Sequence, residues 1–301
     1  MRYYSFNKYL RERHGVRVHR LSLNAGFTCP NRDGSISGKG CIYCNSEGFS
    51  FFGGDKLPTI EEQIAQGMAF ARERYGAGKF IAYFQTGTNT YGPVDKLKKT
   101  YDVISRFPDI VGLYISTRPD CIDDEKLDLI KSYADRYEVW IEYGVQTVHD
   151  KTLELIERGH DFETARLAIL KTASKGIKVA AHLIIGLPGE DEAMMAVTAK
   201  TMAKLPISGV KFHSLHVLEC TKLADMYQNS QITIIDRETY IDRLIKFLEY
   251  LPKTTVIFRL VSDARPETLI APYWMRDKHQ VIQAIEREME SRNIRQGALN
   301  K

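Results

Sequence analysis

Residues 179–204 read VAAHLIIGLPGEDEAMMAVTAKTMAK. The run Val179–Ile185 is apolar except for His182, which suits a buried strand. Gly186-Leu187-Pro188-Gly189 breaks it, and Glu190–Lys204 follows with helical spacing of its apolar residues. The same strand-then-helix pattern recurs along the chain. Strand-like runs occur at Val18–Leu23, Phe80–Phe84, Val111–Ser116, Val139–Tyr143 and Val210–Leu215. Helical patterns occur at Ile60–Arg74, Val94–Arg106, Asp124–Tyr137 and Phe162–Lys175. Strands alternating with helices imply parallel βα units, because parallel neighbours need long crossovers.

A closed eight-stranded barrel takes about 250 residues, and the six units here fit within roughly the first 215. The expected α/β fold is therefore a partial (β/α)6 barrel of the TIM type, with a core over 1–220. A small α/β extension, 221–301, is expected to pack on it. Within the extension Asp236–Tyr250 and His279–Arg292 read as helices, and Thr254–Val261 as a strand. The tail Asn293–Lys301 is poor in apolar residues and is expected to fray. In βα barrels, chemistry sits on the rim formed by the C-terminal ends of the strands.

Of 301 residues, 44% are hydrophobic and 27% charged, the composition of a globular chain with a sizeable core. A net charge of +4 is a weak pull toward anionic partners; a localised basic patch would count for more. Met1–Leu10 has no apolar signal core, and no run reaches the roughly 18–20 apolar residues of a membrane span. A cytoplasmic protein without membrane contact is expected. An odd number of cysteines, five, argues against a disulfide framework.

Three of them form Cys29-x11-Cys41-x2-Cys44, placed just after the first strand. Gly34, Gly38 and Gly40 permit the turns that bring Cys29 back to the pair. Three nearby soft thiolates suit iron–sulfur or zinc. Spacing alone leaves open a cluster, a Cys3His zinc site with His14 or His19 as fourth ligand, and no metal. Structural zinc normally takes four ligands. Three thiolates on a cubane would leave one iron open.

Cys41-Ile42-Tyr43-Cys44, with an aromatic before the last cysteine, resembles the signature of the radical S-adenosylmethionine (SAM) superfamily. The usual first gap is three residues. The eleven here resemble the branch related to Elp3, and most of all its compact bacterial YhcC/YtqA-like members. The resemblance implies a [4Fe–4S] cluster on Cys29, Cys41 and Cys44, with SAM on the open iron. It also implies reductive cleavage to a 5′-deoxyadenosyl radical, with an electron donor such as flavodoxin or ferredoxin. It places Gly87 and Thr88 at the turn that meets the SAM amino group, where the family's usual acid is missing. Ser116 and Arg118 fall where members contact the SAM ribose or carboxylate. Glu142 and Gln146 are implied contacts for SAM hydroxyls or methionine, although Glu142 could instead be a solvated strand end or a core ion pair. Gly186, in the Gly-Leu-Pro-Gly-Glu turn, is implied at the adenine. His182 reads either as a cofactor contact or as a satisfied core histidine. The resemblance further implies tRNA as partner and wobble-uridine modification, 5-carboxymethylaminomethyluridine to 5-aminomethyluridine. A small metabolite or a protein is the alternative substrate, and a zinc-dependent nucleic-acid-binding module the alternative class.

Other residues have two readings each. Arg118 could instead pair with Asp120 or Asp123. Arg11, Arg13, Arg17, His19, Arg20, Arg32 and Lys39, with Tyr3, Tyr4, Phe6 and Tyr9, suit either phosphate and base contacts or aromatics packed on the barrel. His213 and His216 should face opposite sides if both lie on a strand. Arg259, Ser262–Arg265, Tyr273 and Trp274 are substrate-side candidates; Arg265 could grip a carboxylate. Gly53-Gly54 is too short a signal for a phosphate loop, and Cys121 and Cys220 read as ordinary thiols.

Overall fold

The computed structural model describes residues 2–45, 57–263 and 266–300. A short helix, α1 (Phe6–His14), precedes the sheet. Strands β1 (Val18–Leu23), β2 (Lys79–Phe84), β3 (Ile110–Thr117), β4 (Glu138–Gln146), β5 (Lys178–Ile185) and β6 (Gly209–Ser214) lie side by side in chain order, all parallel. Between them run α2 (Ile60–Tyr75), α3 (Val94–Asp102), α4 (Asp124–Ser132), α5 (Asp150–Leu155), α6 (Phe162–Ser174) and α7 (Glu192–Lys204). Their starts follow from side-chain caps: Asp123, Asp161 and Asp191 accept from backbone N–H groups three residues on, and Thr59 forms a capping box with Glu62.

The C-terminal region comprises β7 (Val217–Leu218), α8 (Lys222–Gln228), α9 (Arg237–Tyr250), β8 (Val256–Arg259), β9 (Leu269–Ala271) and α10 (Lys278–Ser291). Strand β8 pairs parallel with β6, making the sheet seven-stranded, a curled half-barrel of the expected partial TIM type. The strand assigned to the extension thus belongs to the main sheet. Strands β7 and β9 form a separate antiparallel pair.

Period-two alternation sorts the strands' residues between two cores. Phe84, Ile115, Ile141, Leu183 and Phe212 face the helices. Ile81, Tyr83, Tyr114, Trp140 and Ala180 face the lumen. The lower end of the lumen, at the strand starts, is closed by α1. Phe6 stacks on Phe258 at 4.4 Å between centroids, and Tyr9 meets Trp140 edge-on at 5.8 Å. Burying each such side chain contributes about 1.5–3 kcal/mol.

For the N-terminal run the packed reading holds, and no single basic, aromatic face forms. Tyr4, Phe6 and Tyr9 plug the barrel floor while Tyr3 packs on the helix-side core, Arg13 pairs with Glu138 at 2.8 Å, Arg20 enters the lumen and Arg32 sits on the cysteine loop. Other expectations need correction. The tail is anchored rather than frayed. Buried Gln296 donates to the carbonyls of Pro252 and Thr255 (2.6 and 2.8 Å) and accepts from the Tyr4 N–H (2.9 Å). Polar side chains, which hydropathy does not score as packing, hold it. The helix expected over Val94–Arg106 tightens to a 3-10 turn at Val103, and α4 stops at Ser132.

Candidate active site at the strand ends

Cys29 follows β1 on the upper rim, and the loop after β2 fixes its approach. Gly87 has φ +77°, and a Cβ there would lie 2.1 Å from the Phe27 carbonyl oxygen. Only glycine allows this contact. The Thr88 N–H donates to the Thr28 carbonyl at 3.0 Å. The Cys29 carbonyl accepts from Arg32 and Asp33 (2.8 and 3.1 Å), and the Cys41 carbonyl from Cys44 (2.9 Å).

Donors reach the sulfurs of Cys41 and Cys44. Asn31 Nδ2 stands 3.5 Å and Arg158 Nη1 3.6 Å from Cys41 Sγ; Arg32 Nη1 stands 3.5 Å from Cys44 Sγ. Such donors favour thiolate. Burial, then Cys41, still raises the Cys44 thiol, with Arg32 opposing and Cys29 adding a smaller push. Crowded thiolates of this kind are stabilised by a cationic core. Neither proposed zinc partner joins them: His14 lies 3.8 Å from Glu138 on the barrel floor, and His19 stacks on Tyr75. Among the described residues no three His, Cys, Asp or Glu groups gather as ligands of a single ion. Three cysteines without a fourth protein ligand, two of them with donors at their sulfurs, fit a cubane cluster with one open iron.

The loops after β2 and β3 are stitched together beside this site. Asn89 Nδ2 donates to the Ser116 carbonyl at 3.0 Å, and the Thr90 and Thr117 hydroxyls meet at 2.6 Å. Thr88 and Asn89 are buried, and Asn89 Oδ1 has no partner among the described residues. Arg118 is engaged as the simpler reading had it. Its Nε and Nη2 donate to the two Asp120 oxygens (2.9 and 2.7 Å), and its Nη1 to the Arg158 carbonyl (3.0 Å). Direct contact with a SAM carboxylate requires Asp120 to yield it. At Gly186 (φ +92°) the space a Cβ would need is filled by Ile235, 2.9 Å away.

Beneath the rim lies a buried polar network. The Glu142 carboxylate accepts from Tyr83 Oη (2.7 Å), His182 Nε2 (2.6 Å), Lys211 Nζ (3.1 Å) and Arg20 Nη1 (3.4 Å). Lys211 Nζ also donates to Tyr83 Oη at 2.6 Å. Burial works to raise the Glu142 carboxyl, but Lys211, His182 and Arg20 together hold it well below its ordinary value. Burial, reinforced by Arg20 and Arg259, brings Lys211 down to about 7 against the pull of Glu142. Burial and Lys211 bring His182 down to about 4, and burial with Arg259 keeps His213 neutral.

Above the network is a cavity of about 110 Å³ lined by Tyr43, Gln146, His182, His213 and His216. Gln146 reaches it from a left-handed backbone (φ 71°), uncommon for a side-chain-bearing residue. His213 and His216 border the same cavity, contrary to the strand-alternation reading, because β6 ends at Ser214 and the chain turns.

Of the extension candidates, Arg259 Nη2 lies 2.8 Å from His213 Nε2. Ser262 bonds Ser214, and Asp263 pairs with Lys278. Trp274 packs on Tyr240, whereas Tyr273 is exposed. Arg265, Ala264 and Gly53-Gly54 lie outside the described residues. Burial and Asp120 push the Cys121 thiol up to about 12, and Cys220 is exposed. Sequence reading missed Tyr83, Asn31 and Arg158. Tyr83 looks like any core aromatic, and Arg158 lies in a loop far from the cysteines in sequence.

Residues 27–202 match the model of the Radical SAM superfamily, and 207–291 that of the Radical_SAM C-terminal domain. The uncharacterized protein YtqA of Bacillus subtilis is 37% identical over 98% of this chain and 92% of its own length. A tRNA uridine(34) acetyltransferase of Methanocaldococcus jannaschii is 32% identical over 53% of this chain and 29% of its own. The solved structure of Methanocaldococcus infernus Elp3 superposes with a TM-score of 0.69 at 19% identity, over 93% of this chain and 64% of that one. Membership removes the non-catalytic zinc-module reading. No helix among the described residues is long and apolar enough to cross a membrane. The chain belongs to the radical SAM superfamily and is an enzyme whose cofactors are a [4Fe–4S] cluster and S-adenosylmethionine.

Proposed function

We propose that the enzyme acts on tRNA at the wobble uridine, converting 5-carboxymethylaminomethyluridine to 5-aminomethyluridine. The observation that carries this reading is the lumen beneath the cavity. Arg20, Lys211 and Arg259 stand there with Glu142 as their one fully buried carboxylate among the described residues. Asp263, the partner of Arg259 at 3.7 Å, is exposed, so an anionic guest would supply a buried counter-charge that the lumen otherwise has only in Glu142. A carboxymethyl group ending in the cavity would meet them through the His213–Arg259 contact. The name of the M. jannaschii relative, a tRNA uridine(34) acetyltransferase, agrees with a wobble uridine as target.

Cys29, Cys41 and Cys44 are the proposed cluster ligands, and Gly87, Thr88, Ser116, Arg118, Glu142, Gln146, His182 and Gly186 the proposed surroundings of SAM. With both cofactors bound, the cluster and SAM supply a 5′-deoxyadenosyl radical that takes a hydrogen atom from the substrate. The proposed target is the methylene between the amine and the carboxylate. That carbon then loses one electron to a one-electron acceptor and the amine nitrogen releases its proton, giving an imine. Water adds, and the carbon–nitrogen bond breaks to release glyoxylate and the aminomethyl base. Lys211 and Arg259 would hold the carboxylate, and the cavity walls would keep bulk water from the carbon until the imine forms. Enzymes of this family require a reductant; flavodoxin or ferredoxin is the proposed donor.

The test is nucleoside analysis of tRNA after anaerobic reaction with the reduced, reconstituted enzyme. Loss of the carboxymethylaminomethyl nucleoside with gain of the aminomethyl one is expected. An unchanged profile from an enzyme that still cleaves SAM would move the substrate to a small metabolite or a protein.

A further inference from the structure

Arg158 follows α5, far from the cysteines in sequence, yet it is only 7% exposed and its guanidinium reaches Cys41 Sγ. Its other terminal nitrogen, Nη2, donates to the Gly144 carbonyl at 2.7 Å, and its Nε is buried without a partner. Gly144 leaves the room required, since a Cβ there would lie 2.7 Å from Arg158 Nη2. The nearby acid, Asp120, is held by Arg118 instead. A buried guanidinium without a paired carboxylate is costly. What it faces is the sulfur of Cys41.

The loop that carries Arg158 is bound to the cysteine loop from both sides. Asn31 Nδ2 bridges Cys41 Sγ (3.5 Å) and the Glu157 carbonyl (2.7 Å), and the Ile42 N–H donates to the Ile156 carbonyl at 3.1 Å. The Arg158 carbonyl in turn receives Arg118. Rigid support of this kind holds a donor to one sulfur in fixed geometry.

We infer that Arg158 is a positioning residue that serves as counter-ion to the Cys41 thiolate and sets the reduction potential of the cluster. The inference rests on Cys41 being a cluster ligand. Reduction adds a negative charge to a buried group. A fixed cation and a hydrogen bond at its sulfur stabilise the reduced form more than the oxidised one, and so make the potential less negative. Asn31 adds a neutral donor to the same sulfur, and Arg32 plays the corresponding part at Cys44, from a more exposed position.

The test is an anaerobic redox titration of the reconstituted full chain, followed by the electron paramagnetic resonance signal of the reduced cluster. Three proteins are compared: wild type, Arg158→Gln and Arg158→Lys, each with its iron content measured. Arg158→Gln is expected to keep its iron but to need a potential more negative by about 59 mV, a tenfold change in the ratio of reduced to oxidised cluster. Arg158→Lys, which keeps the charge, is expected to recover most of that shift. An unchanged potential in iron-replete Arg158→Gln would overturn the inference, as would equal shifts in both variants, which would mark a structural role only. If Arg158→Gln loses its iron, Arg158→Lys decides alone: a potential near that of wild type supports the counter-ion, and loss of the cluster overturns it. Full iron retention by Cys41→Ala would instead refute the ligand reading itself, a result separate from any of these.

Discussion

Lys211 Nζ lies 3.1 Å from Glu142 Oε2 in the barrel lumen, with both side chains buried on strands that flank β5. Neither charge has enough solvent to stand alone, so each depends on the other. Replacing Glu142 with Gln leaves Lys211 and Arg20 without a counter-charge and is expected to cost about 3–5 kcal/mol, measurable by urea unfolding at neutral pH. The pH dependence has a definite sign. Glu142 is held below its ordinary value, so its stabilisation is complete above the unfolded-state pKa and is lost as pH falls toward the folded one. The gap between wild type and Glu142→Gln should therefore narrow in acid.

Lys211 has the opposite linkage. Its folded pKa is depressed to about 7, so the fold disfavours its charged form. That penalty is fully present below pH 7 and is relieved as pH rises toward the unfolded-state value. Wild type should gain stability relative to Lys211→Met between neutral and alkaline pH. Carboxylate binding by the charged lysine should weaken over the same range. With the proposed tRNA substrate, KM is expected to rise above about pH 7 in wild type and to lose that dependence in Lys211→Met.

Gly87→Ala tests the loop that carries Cys29. The new Cβ would collide with the Phe27 carbonyl, and the left-handed backbone alone costs about 1–2 kcal/mol for an ordinary residue. Because the displaced loop segment leads directly to Cys29, iron retention should fall along with Tm. Gly38→Ala, whose Cβ would meet nothing within 4 Å, is the control and should retain both.

The βα alternation was legible because apolar runs such as Phe80–Phe84 and Val179–Ile185 are short, dense and separated by capped helices. The grouping of Cys29, Cys41 and Cys44 was legible because the three thiols are close in sequence. The lumen was only partly so. Glu142, His182 and Lys211 each look like an isolated polar residue in an apolar strand, and only the parallel register brings them together. Arg158 was hidden because its contact with Cys41 spans 117 positions of chain. The seventh strand was read as part of an appendage because a long connection containing α8 and α9 precedes it, and pairing partners cannot be read from pattern alone. The anchored tail was missed because Gln296 binds through its amide and not through apolar area.

The most direct measurement is anaerobic reconstitution with iron and sulfide, followed by reduction in the presence of SAM and assay of 5′-deoxyadenosine. Wild type is expected to bind iron as a [4Fe–4S] cluster and to form 5′-deoxyadenosine. Cys29→Ala, Cys41→Ala and Cys44→Ala should each lose both properties. A wild-type protein that takes up no cluster, or cysteine variants that cleave SAM as well as wild type, would contradict the assignment of these three residues.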